Sequence, residues 1–226
     1  MVFESKVIDS KEIAKDTYEI TLLRPPGFIF KPGQYTQISV SELVQSDSKG
    51  DSRVFSIASP AWNKDEIKVV FRDSGSAFKK TLINAPENLV VYLEQASGVF
   101  VLPEKLTKPN VFVAGGVGIS PFMSYLYQYV DCEWDNSIHL IYGNKEPKYA
   151  AYLKELEDMV DKQDNFSFDP IYEQPQIKLF ATFAQKYQDA TWWVVGPPGM
   201  VSTAINGLQA GGVSINDILY EKFDGY

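Results

Sequence analysis

The pattern of hydrophobic and polar positions changes near the middle of the chain. In the first hundred residues, short runs rich in β-branched and aromatic residues alternate with polar positions, most clearly in YEITL and EIKVVF. Turn-forming residues separate these runs, as in Pro25-Pro26-Gly27 and Pro32-Gly33. This spacing predicts a small antiparallel barrel with one short helix at Ala77–Asn84. The predicted strands are Phe3–Ile8, Tyr18–Leu23, Gln34–Val40, Val54–Ala58, Ile67–Phe71 and Leu89–Leu93.

Strands and helix-periodic segments alternate after the boundary-like stretch 103–109 (PEKLTKP). Such alternation predicts a parallel sheet with helices on both faces. The fold class is therefore two-domain, with an antiparallel β-barrel over residues 1–104 and an α/β domain with a parallel sheet over residues 105–226. The predicted strands are Val111–Ala114, Ile138–Tyr142, Phe166–Asp169, Thr191–Val195 and Ile218–Tyr220, and the predicted helices are Pro121–Val130, Ala150–Val160, Leu179–Tyr187 and Met200–Ala210.

Composition narrows the class of protein. The 226 residues are 45% hydrophobic and 22% charged, which is typical of a globular chain, and no apolar run approaches the ~18 residues of a membrane span. The N-terminus has no signal-peptide pattern, and the single Cys132 excludes an internal disulfide or a thiolate cluster for iron–sulfur or zinc. We therefore predict a cytoplasmic protein without a metal site. The net charge of −8 argues against nucleic-acid binding.

A glycine-rich turn follows the first strand of the second half, in VFVAGGVGISPFMSY. Ser120 is predicted to cap the next helix, and Pro121 suits its first turn. Free N–H groups at such a turn can bind phosphate. The turn can equally join strand and helix without a ligand, and it is not the usual G-x-G-x-x-G fingerprint.

A second pattern, RVFSIASP, lies in the first half. Arg53 offers a planar fork that can hold a phosphate through two hydrogen bonds. Residues 53, 55 and 57 share one face of an extended strand. Without further context, an ordinary edge strand with a surface arginine explains the pattern as well.

Five motifs together resemble the ferredoxin–NAD(P)H reductase family. RVFSIAS matches its flavin motif R-x-[FY]-S-x-x-S, GGVGISPF its pyridine-nucleotide loop, and VGPPGM its C-G-P-P-x-M motif. KPGQY and GVFVLP match its barrel signatures. The motifs occur in the family's order and cover nearly the whole chain, so the resemblance implies a barrel that binds FAD and an α/β domain that binds NADH or NADPH.

The resemblance implies a set of flavin contacts. Arg53 would bind phosphate, Phe55 would pack beside the isoalloxazine or ribityl chain, and Ser56 would lie near N5, which receives the hydride. Position 55 is often tyrosine in the family, so one hydroxyl contact is missing here. The segment 73–82 would wrap the pyrophosphate, which favours FAD over FMN, although a solvated surface helix is an alternative. The implied contacts are Arg53, Val54, Phe55, Ser56, Ile57, Phe71, Arg72, Gly75, Ser76, Ala77, Phe78 and Lys79.

The resemblance also implies nucleotide contacts in the second half. The glycine turn would hold the diphosphate, residues 143–145 the adenosine ribose, and the GPP motif the nicotinamide. Val195 replaces the family's usual cysteine, which predicts slower or looser hydride transfer. Lys145 would favour a 2′-phosphate and Glu146 would oppose it, so NADH and NADPH both stay open. The implied contacts are Gly115, Gly116, Val117, Gly118, Ile119, Pro121, Gly143, Asn144, Lys145, Gly196, Pro197, Pro198 and Met200.

The last six residues, EKFDGY, resemble the acidic and aromatic tail of these reductases. The catalytic residues that the resemblance implies are Ser56, Glu221, Phe223 and Tyr226. Phe223 or Tyr226 would cover the flavin face that the nicotinamide must reach, and Glu221 would hydrogen-bond near Ser56. An unstructured terminus is the alternative.

The implied activity is hydride transfer from NAD(P)H to FAD, followed by electron transfer to a separate acceptor such as ferredoxin or flavodoxin. Alternatives are a free-flavin reductase, an FAD-binding electron-transfer subunit active only within a complex, and a nucleotide-binding module without flavin. The absence of a G-x-S-x-G elbow argues against a Ser-His-Asp hydrolase. His139 is predicted to be a core or edge histidine, and Cys132 a partly buried structural thiol.

Overall fold

The computed structural model describes residues 1–45, 47–86, 88–103, 106–130 and 137–223. Packing divides the chain into two units, residues 1–102 with 120–128 and residues 103–119 with 129–226. Each unit is described by itself. The predictions for Cys132 and Tyr226 lie outside the described residues.

The first unit contains an antiparallel six-stranded sheet with the order β4-β3-β6-β1-β2-β5. A bridge from Ile57 to Val69 and a hydrogen bond from Ala58 N to Lys68 O join the chain just after β4 to β5. The two ends of the strand order therefore meet, which confirms the antiparallel barrel. The elements are β1 Val2–Ala14, β2 Thr17–Leu23, β3 Tyr35–Val40, β4 Ser52–Ser56, β5 Glu66–Arg72, α1 Ala77–Ile83 and β6 Val90–Glu94.

Strand β1 runs well beyond its predicted end at Ile8. Its first part pairs with β6 and its second part with β2, with irregular register between Val7 and Asp9. Pairing with β6 and then with β2 keeps the backbone of β1 extended beyond the residues that show an alternating apolar pattern. The alternation of the sequence could reveal only the part that faces the core.

A buried arginine ties together the loops at one end of the barrel. Arg24 is 8% exposed, and its guanidinium lies 4.8 Å above the Phe30 ring. Its N–H groups donate to the carbonyl oxygens of Phe28 (3.0 and 2.8 Å), Ala61 (2.8 Å) and Asn63. Burial of the side chain lowers the pKa of Arg24. Backbone carbonyls thus take the place that a carboxylate partner usually fills around a buried guanidinium.

We expect Arg24→Met to lower the free energy of unfolding by about 2 kcal/mol. The variant keeps the apolar stem but leaves three loop carbonyls without a charged donor, and each such hydrogen bond contributes roughly 1.5–3 kcal/mol before desolvation of the charge is subtracted. Urea denaturation followed by circular dichroism measures the change. Lys64→Met, at an exposed position nearby, is the matched control and should leave the midpoint in place. Equal midpoints for the two variants would contradict the role of Arg24.

The second unit contains a parallel five-stranded sheet with the order β11-β10-β7-β8-β9. Strand β7 is buried along its whole length, and β8 and β10 are buried at all but one residue each, so both faces of the central strands are covered. This confirms the predicted α/β fold. The elements of the second unit are β7 Asn110–Gly115, β8 Ile138–Gly143, α3 Leu153–Lys162, β9 Phe166–Ile171, α4 Ile177–Lys186, β10 Thr191–Gly196, α5 Pro198–Ala210 and β11 Ile218–Lys222. Helix α2, Ser120–Tyr129, follows β7 along the chain but belongs to the first unit up to residue 128.

Four predicted helix starts differ from the structure. Helices α4 and α5 each begin two residues earlier than predicted, at Ile177 and Pro198. A 3₁₀ turn over Gly116–Ile119 leads directly into α2, so Ser120 is already helical and makes no N-cap. Pro121 does lie in the first turn, as predicted. Helix α3 begins at Leu153 instead of Ala150, because Tyr152 adopts a left-handed backbone with φ of 62°. In the part of the chain that the structure describes, every helix is too short or too polar to cross a bilayer.

Candidate functional site

The strand order of the second unit reverses at β7, whose neighbours are β8 on one side and β10 on the other. Connections that leave such a point to opposite sides open a crevice beyond the carboxyl ends of the strands, where ligands of open α/β sheets bind. Gly115 ends β7, Gly143 ends β8 and Gly196 ends β10. Gly143 pairs with Gly115 in the parallel register. The predicted nucleotide motifs therefore meet at one edge of the sheet.

Glycines of the turn serve two different purposes. A Cβ on Gly118 would lie 2.5 Å from the carbonyl oxygen of Val195, and one on Gly115 would lie 2.6 Å from Cε of Met200. These two glycines let the ends of β7 and β10 approach each other closely. Gly116 has a φ of 54° and open space where its Cβ would be. Gly116 is therefore the glycine whose backbone a ligand can approach.

Asn144 extends the site beyond the end of β8. Its backbone N–H donates to Ile171 O at 2.8 Å, which fixes the residue against β9. Its side-chain oxygen and nitrogen are both buried and have no hydrogen-bond partner among the described residues. A buried amide normally has partners. This orphaned pair of donor and acceptor fits a bound sugar or phosphate.

Charged residues follow Asn144 on the surface. The Lys148 ammonium lies 2.6 Å from Oε2 of Glu146, and this hydrogen bond raises the pKa of Lys148. Lys145 is exposed beside them. The loop thus carries a carboxylate that is already paired with one of its two lysines.

The chain end is anchored at the same edge of the sheet. Strand β11 pairs Glu221 with Val195, and the N–H of Phe223 donates to Gly196 O at 3.0 Å. One carboxylate oxygen of Glu221 is buried without a partner among the described residues, and burial raises the pKa of Glu221. Phe223 therefore lies next to the GPP motif.

In the first unit, Arg53 lies in β4 with its guanidinium 5.6 Å above the Phe78 ring. Its Nη1 donates to the carbonyl oxygens of Lys49 at 2.8 Å and Ser52 at 2.5 Å. Its Nη2 is buried and has no partner among the described residues. A guanidinium with one nitrogen held and the other unpaired fits a phosphate oxygen.

The flavin motif presents its residues differently from the expectation. Phe55 is 2% exposed and packs in the barrel core, with ring centroids 5.5 Å from Phe71 and 6.1 Å from Phe78. Val54, on the opposite face of the strand, is 49% exposed. Ser56 is buried at the end of β4. Val54 is therefore the apolar side chain of this motif that has free surface for a flavin to cover.

Asp47 is a site residue that the sequence analysis missed. Its Oδ2 accepts a hydrogen bond from Ala77 N at 2.7 Å, at the start of α1. This bond and one from Lys49 N lower the pKa of Asp47. The N–H group predicted to face a pyrophosphate already bonds to a carboxylate. An aspartate in the polar stretch 46–52 was the available signal, but only the fold brings it to the helix.

Lys79 is a buried residue of the predicted pyrophosphate segment. It is 3% exposed, and its ammonium donates to Arg72 O at 2.8 Å and lies 5.5 Å from the Phe71 ring. Desolvation lowers the pKa of Lys79 to about 8. Near neutral pH the folded protein therefore carries a charge that its surroundings destabilise.

We expect Lys79→Met to flatten the rise of stability with pH. Folding lowers the pKa of Lys79 from an ordinary value of 10.5 to about 8. Between pH 8 and pH 10.5 the unfolded chain therefore binds more protons than the folded protein, so the free energy of unfolding of the wild type rises with pH across that range. The stability of the variant relative to wild type should fall by about 2 kcal/mol from pH 7.5 to 10.5. Urea titrations at both pH values measure this. Lys80→Met on the same helix is the control, and a wild-type slope in both variants would contradict the prediction.

His139, which is predicted to be a core or edge histidine, is buried in the structure. Its Nδ1 lies 2.8 Å from Ser167 Oγ, its Nε2 lies 3.2 Å from Asp169 Oδ2, and its ring stacks on Tyr187 at 4.8 Å. Burial lowers the pKa of His139. Within the described ranges, no group of three or more histidine, cysteine and acidic residues is placed to hold a metal ion.

Residues 112–205 match the family model described as "Oxidoreductase NAD-binding domain". The chain is 24% identical over 240 residues to the reductase component of propane 2-monooxygenase from Rhodococcus jostii, with 97% of this chain and 63% of that protein covered. It is 26% identical to an NAD(P)H-flavin reductase from Vibrio harveyi, with 77% and 73% covered.

The fold has a solved counterpart. A ferredoxin NADP⁺ reductase from Neisseria gonorrhoeae with bound FAD and NADP superposes with a TM-score of 0.81 at 18% identity, and 98% of each chain is covered. By contrast, the chain spans only about three fifths of the propane monooxygenase reductase component.

Proposed function

We propose that this chain is a ferredoxin–NAD(P)H reductase-like oxidoreductase, which transfers hydride from NADH or NADPH to bound FAD and passes the electrons to a separate acceptor. Its matches to an oxidoreductase NAD-binding domain and to an NAD(P)H-flavin reductase support this. The observation that carries the proposal is the switch point of the parallel sheet. There Gly116 leaves its backbone open, and Asn144, one residue beyond the end of the neighbouring strand β8, presents an unpaired buried amide. The FAD-binding domain comprises residues 1–104, and the NAD(P)-binding domain comprises residues 105–226.

The second domain holds the nucleotide through backbone and amide groups. The N–H groups of residues 115–118 face the diphosphate, chiefly at Gly116, with Ile119 and Pro121 shaping the entry to α2. Gly143, Asn144 and Lys145 contact the adenosine ribose. Pro197 and Pro198 form the nicotinamide wall, with Met200 packed against Gly115 behind it.

The first domain holds the flavin across β4, through Arg53 on one face of the strand and Val54 on the other. Nη2 of Arg53 donates to a phosphate oxygen, and Val54 covers the apolar part of the cofactor. The segment from Gly75 to Lys79 favours FAD over FMN, because it offers a place for a second phosphate. This requires the Ala77 N–H to exchange its bond to Asp47 for one to the cofactor.

FAD supplies the capacity to accept a hydride as an electron pair and to release single electrons. The chain's own residues orient the rings and manage protons. Ser56 would donate a hydrogen bond to the bound flavin. Glu221, whose pKa is raised by burial, is the acidic residue proposed to take part in proton transfer. Phe223 or Tyr226 would shield the flavin from water until the nicotinamide enters, and of these two residues the structure describes only Phe223.

The electron acceptor is proposed to be a redox protein. The Rhodococcus relative is by its name the reductase component of a monooxygenase, which supports a partner that belongs to an oxygenase system. A ferredoxin or a flavodoxin is the proposed type of acceptor, and the cytoplasm is the proposed location. The Vibrio relative is an NAD(P)H-flavin reductase, so reduction of free flavin is the second candidate.

An anaerobic visible spectrum of the purified protein tests the function. We expect flavin absorbance bands that bleach within seconds of adding NADH or NADPH, and rapid reduction of an artificial dye by the isolated chain. Protein that is colourless and takes up no FAD would overturn the proposal. Turnover of free FMN by protein without bound flavin would favour the second candidate, and bleaching without dye reduction would favour a subunit that works only within a complex.

A further inference from the structure

The loop after β8 carries the charges that face an adenosine ribose. In doubly wound sheets the diphosphate lies at the turn after the first strand, and the ribose attached to it reaches the end of the neighbouring strand. Here β7 and β8 are those strands, and Gly143 lies beside Gly115. A diphosphate at Gly116 therefore places the ribose near residues 144–148. This step rests on the proposed nucleotide site.

Glu146 dominates the chemistry of this loop. Its backbone is extended, with φ of −156° and ψ of 159°, and its carbonyl accepts from Tyr149 N at 3.0 Å, which fixes the start of the 3₁₀ turn Pro147–Tyr149. Its carboxylate stays about half exposed while it contacts the Lys148 ammonium at 2.6 Å. A carboxylate accepts hydrogen bonds from a sugar hydroxyl but repels a phosphate dianion.

Cations suited to a 2′-phosphate are scarce in this domain. The three arginines of the chain are Arg24, Arg53 and Arg72, so residues 103–226 contain none of the planar forks that bind phosphate bidentately. Lys148 already contacts Glu146. Lys145 is an exposed point charge, and single solvated charges contribute little to binding.

We propose that Glu146 makes this protein selective for NADH over NADPH, by accepting a hydrogen bond from the ribose 2′-hydroxyl and repelling a 2′-phosphate. Asn144 positions the same ribose through its otherwise unpaired amide. Lys148 holds the Glu146 carboxylate in place and is thereby kept from acting as a phosphate ligand.

Dissociation constants measured by calorimetry on the full chain test the proposal without turnover. We expect NADH to bind at least about tenfold tighter than NADPH, and 5′-AMP to bind tighter than 2′-phospho-AMP, since one hydrogen bond to a charged group corresponds to roughly tenfold or more in affinity. In Glu146→Gln the NADPH-to-NADH ratio of dissociation constants should fall about tenfold, because the amide removes the repulsion and weakens acceptance from the hydroxyl.

Asp161→Asn is the matched control. It makes the same change of charge near the end of α3, which runs back toward the amino ends of the strands, so the ratio should stay at the wild-type value. Tighter binding of NADPH by the wild type, or an unchanged ratio in Glu146→Gln, would overturn the selectivity. Binding of neither dinucleotide would instead refute the proposed function of this domain.

Discussion

Arg53→Ala is expected to weaken FAD binding about a hundredfold. The guanidinium is anchored through Nη1 by the carbonyls of Lys49 and Ser52, so Nη2 is presented in one fixed direction. Nη2 carries two N–H groups. Two charge-assisted hydrogen bonds from them to a phosphate contribute roughly 3 kcal/mol together, which corresponds to about two powers of ten in the dissociation constant. Quenching of FAD fluorescence on addition to flavin-free protein measures the constant.

Two further variants separate geometry from charge. Arg53→Lys keeps the positive charge but loses the fork, so it should fall between wild type and alanine. Lys64→Ala removes an exposed charge elsewhere in the same unit and should bind FAD like wild type. Circular dichroism establishes that each variant is folded. Wild-type affinity in folded Arg53→Ala would remove this residue from the flavin site.

Gly118→Ala is expected to lower the free energy of unfolding of the second unit by about 3 kcal/mol. The added Cβ would lie 2.5 Å from the carbonyl oxygen of Val195 and 3.1 Å from Cα of Gly196. Both atoms are backbone in or at the end of a buried strand, so neither can turn away as a flexible side chain would. Overpacking of this kind costs roughly 1–3 kcal/mol and occasionally more.

Tryptophan fluorescence during heating measures the effect of this substitution, because Trp192 and Trp193 are buried in β10 next to the clash. For a chain of this size we expect the melting temperature to fall by roughly 6–12 °C. Gly199→Ala is the control, since nothing lies within 4 Å of its Cβ position and alanine favours the helix it occupies. Equal melting temperatures for the two variants would show that β7 and β10 do not need the close approach.

The two-domain fold could be predicted from the sequence because it depends on patterns of neighbouring residues along the chain. Alternation in YEITL and at the start of EIKVVF predicted two strands, and β2 and β5 form there. Burial alternates only at the start of β5, and β2 is buried on both faces from Glu19 to Leu22. The change to alternating strands and helices after residue 109 predicted the parallel sheet for the same reason. Strand β1 and helix α3 were predicted less well, because an additional strand partner and a left-handed Tyr152 set their limits.

The sequence predicted the motifs of the candidate site, but not which side chains of those motifs are exposed. Spacing along a strand shows that Val54 and Phe55 point to opposite faces, but not which face is the core, and the packing of Phe71 and Phe78 decides it. In the same way, the glycine turn predicted a close approach without naming what approaches. Gly115 and Gly118 turn out to accommodate Met200 and the end of β10.

The sequence by itself determined the order of the elements, the place of the glycine turn, and the residue types available for an anionic ligand, because these depend on neighbours along the chain. Only the tertiary structure decided which groups are left unpaired and which are already occupied. Asp47 reaches Ala77 across thirty residues, and Glu146 takes up Lys148. Hydrogen bonds and ion pairs form between groups that folding brings together. The pattern of neighbouring residues along the chain does not predict which groups these are.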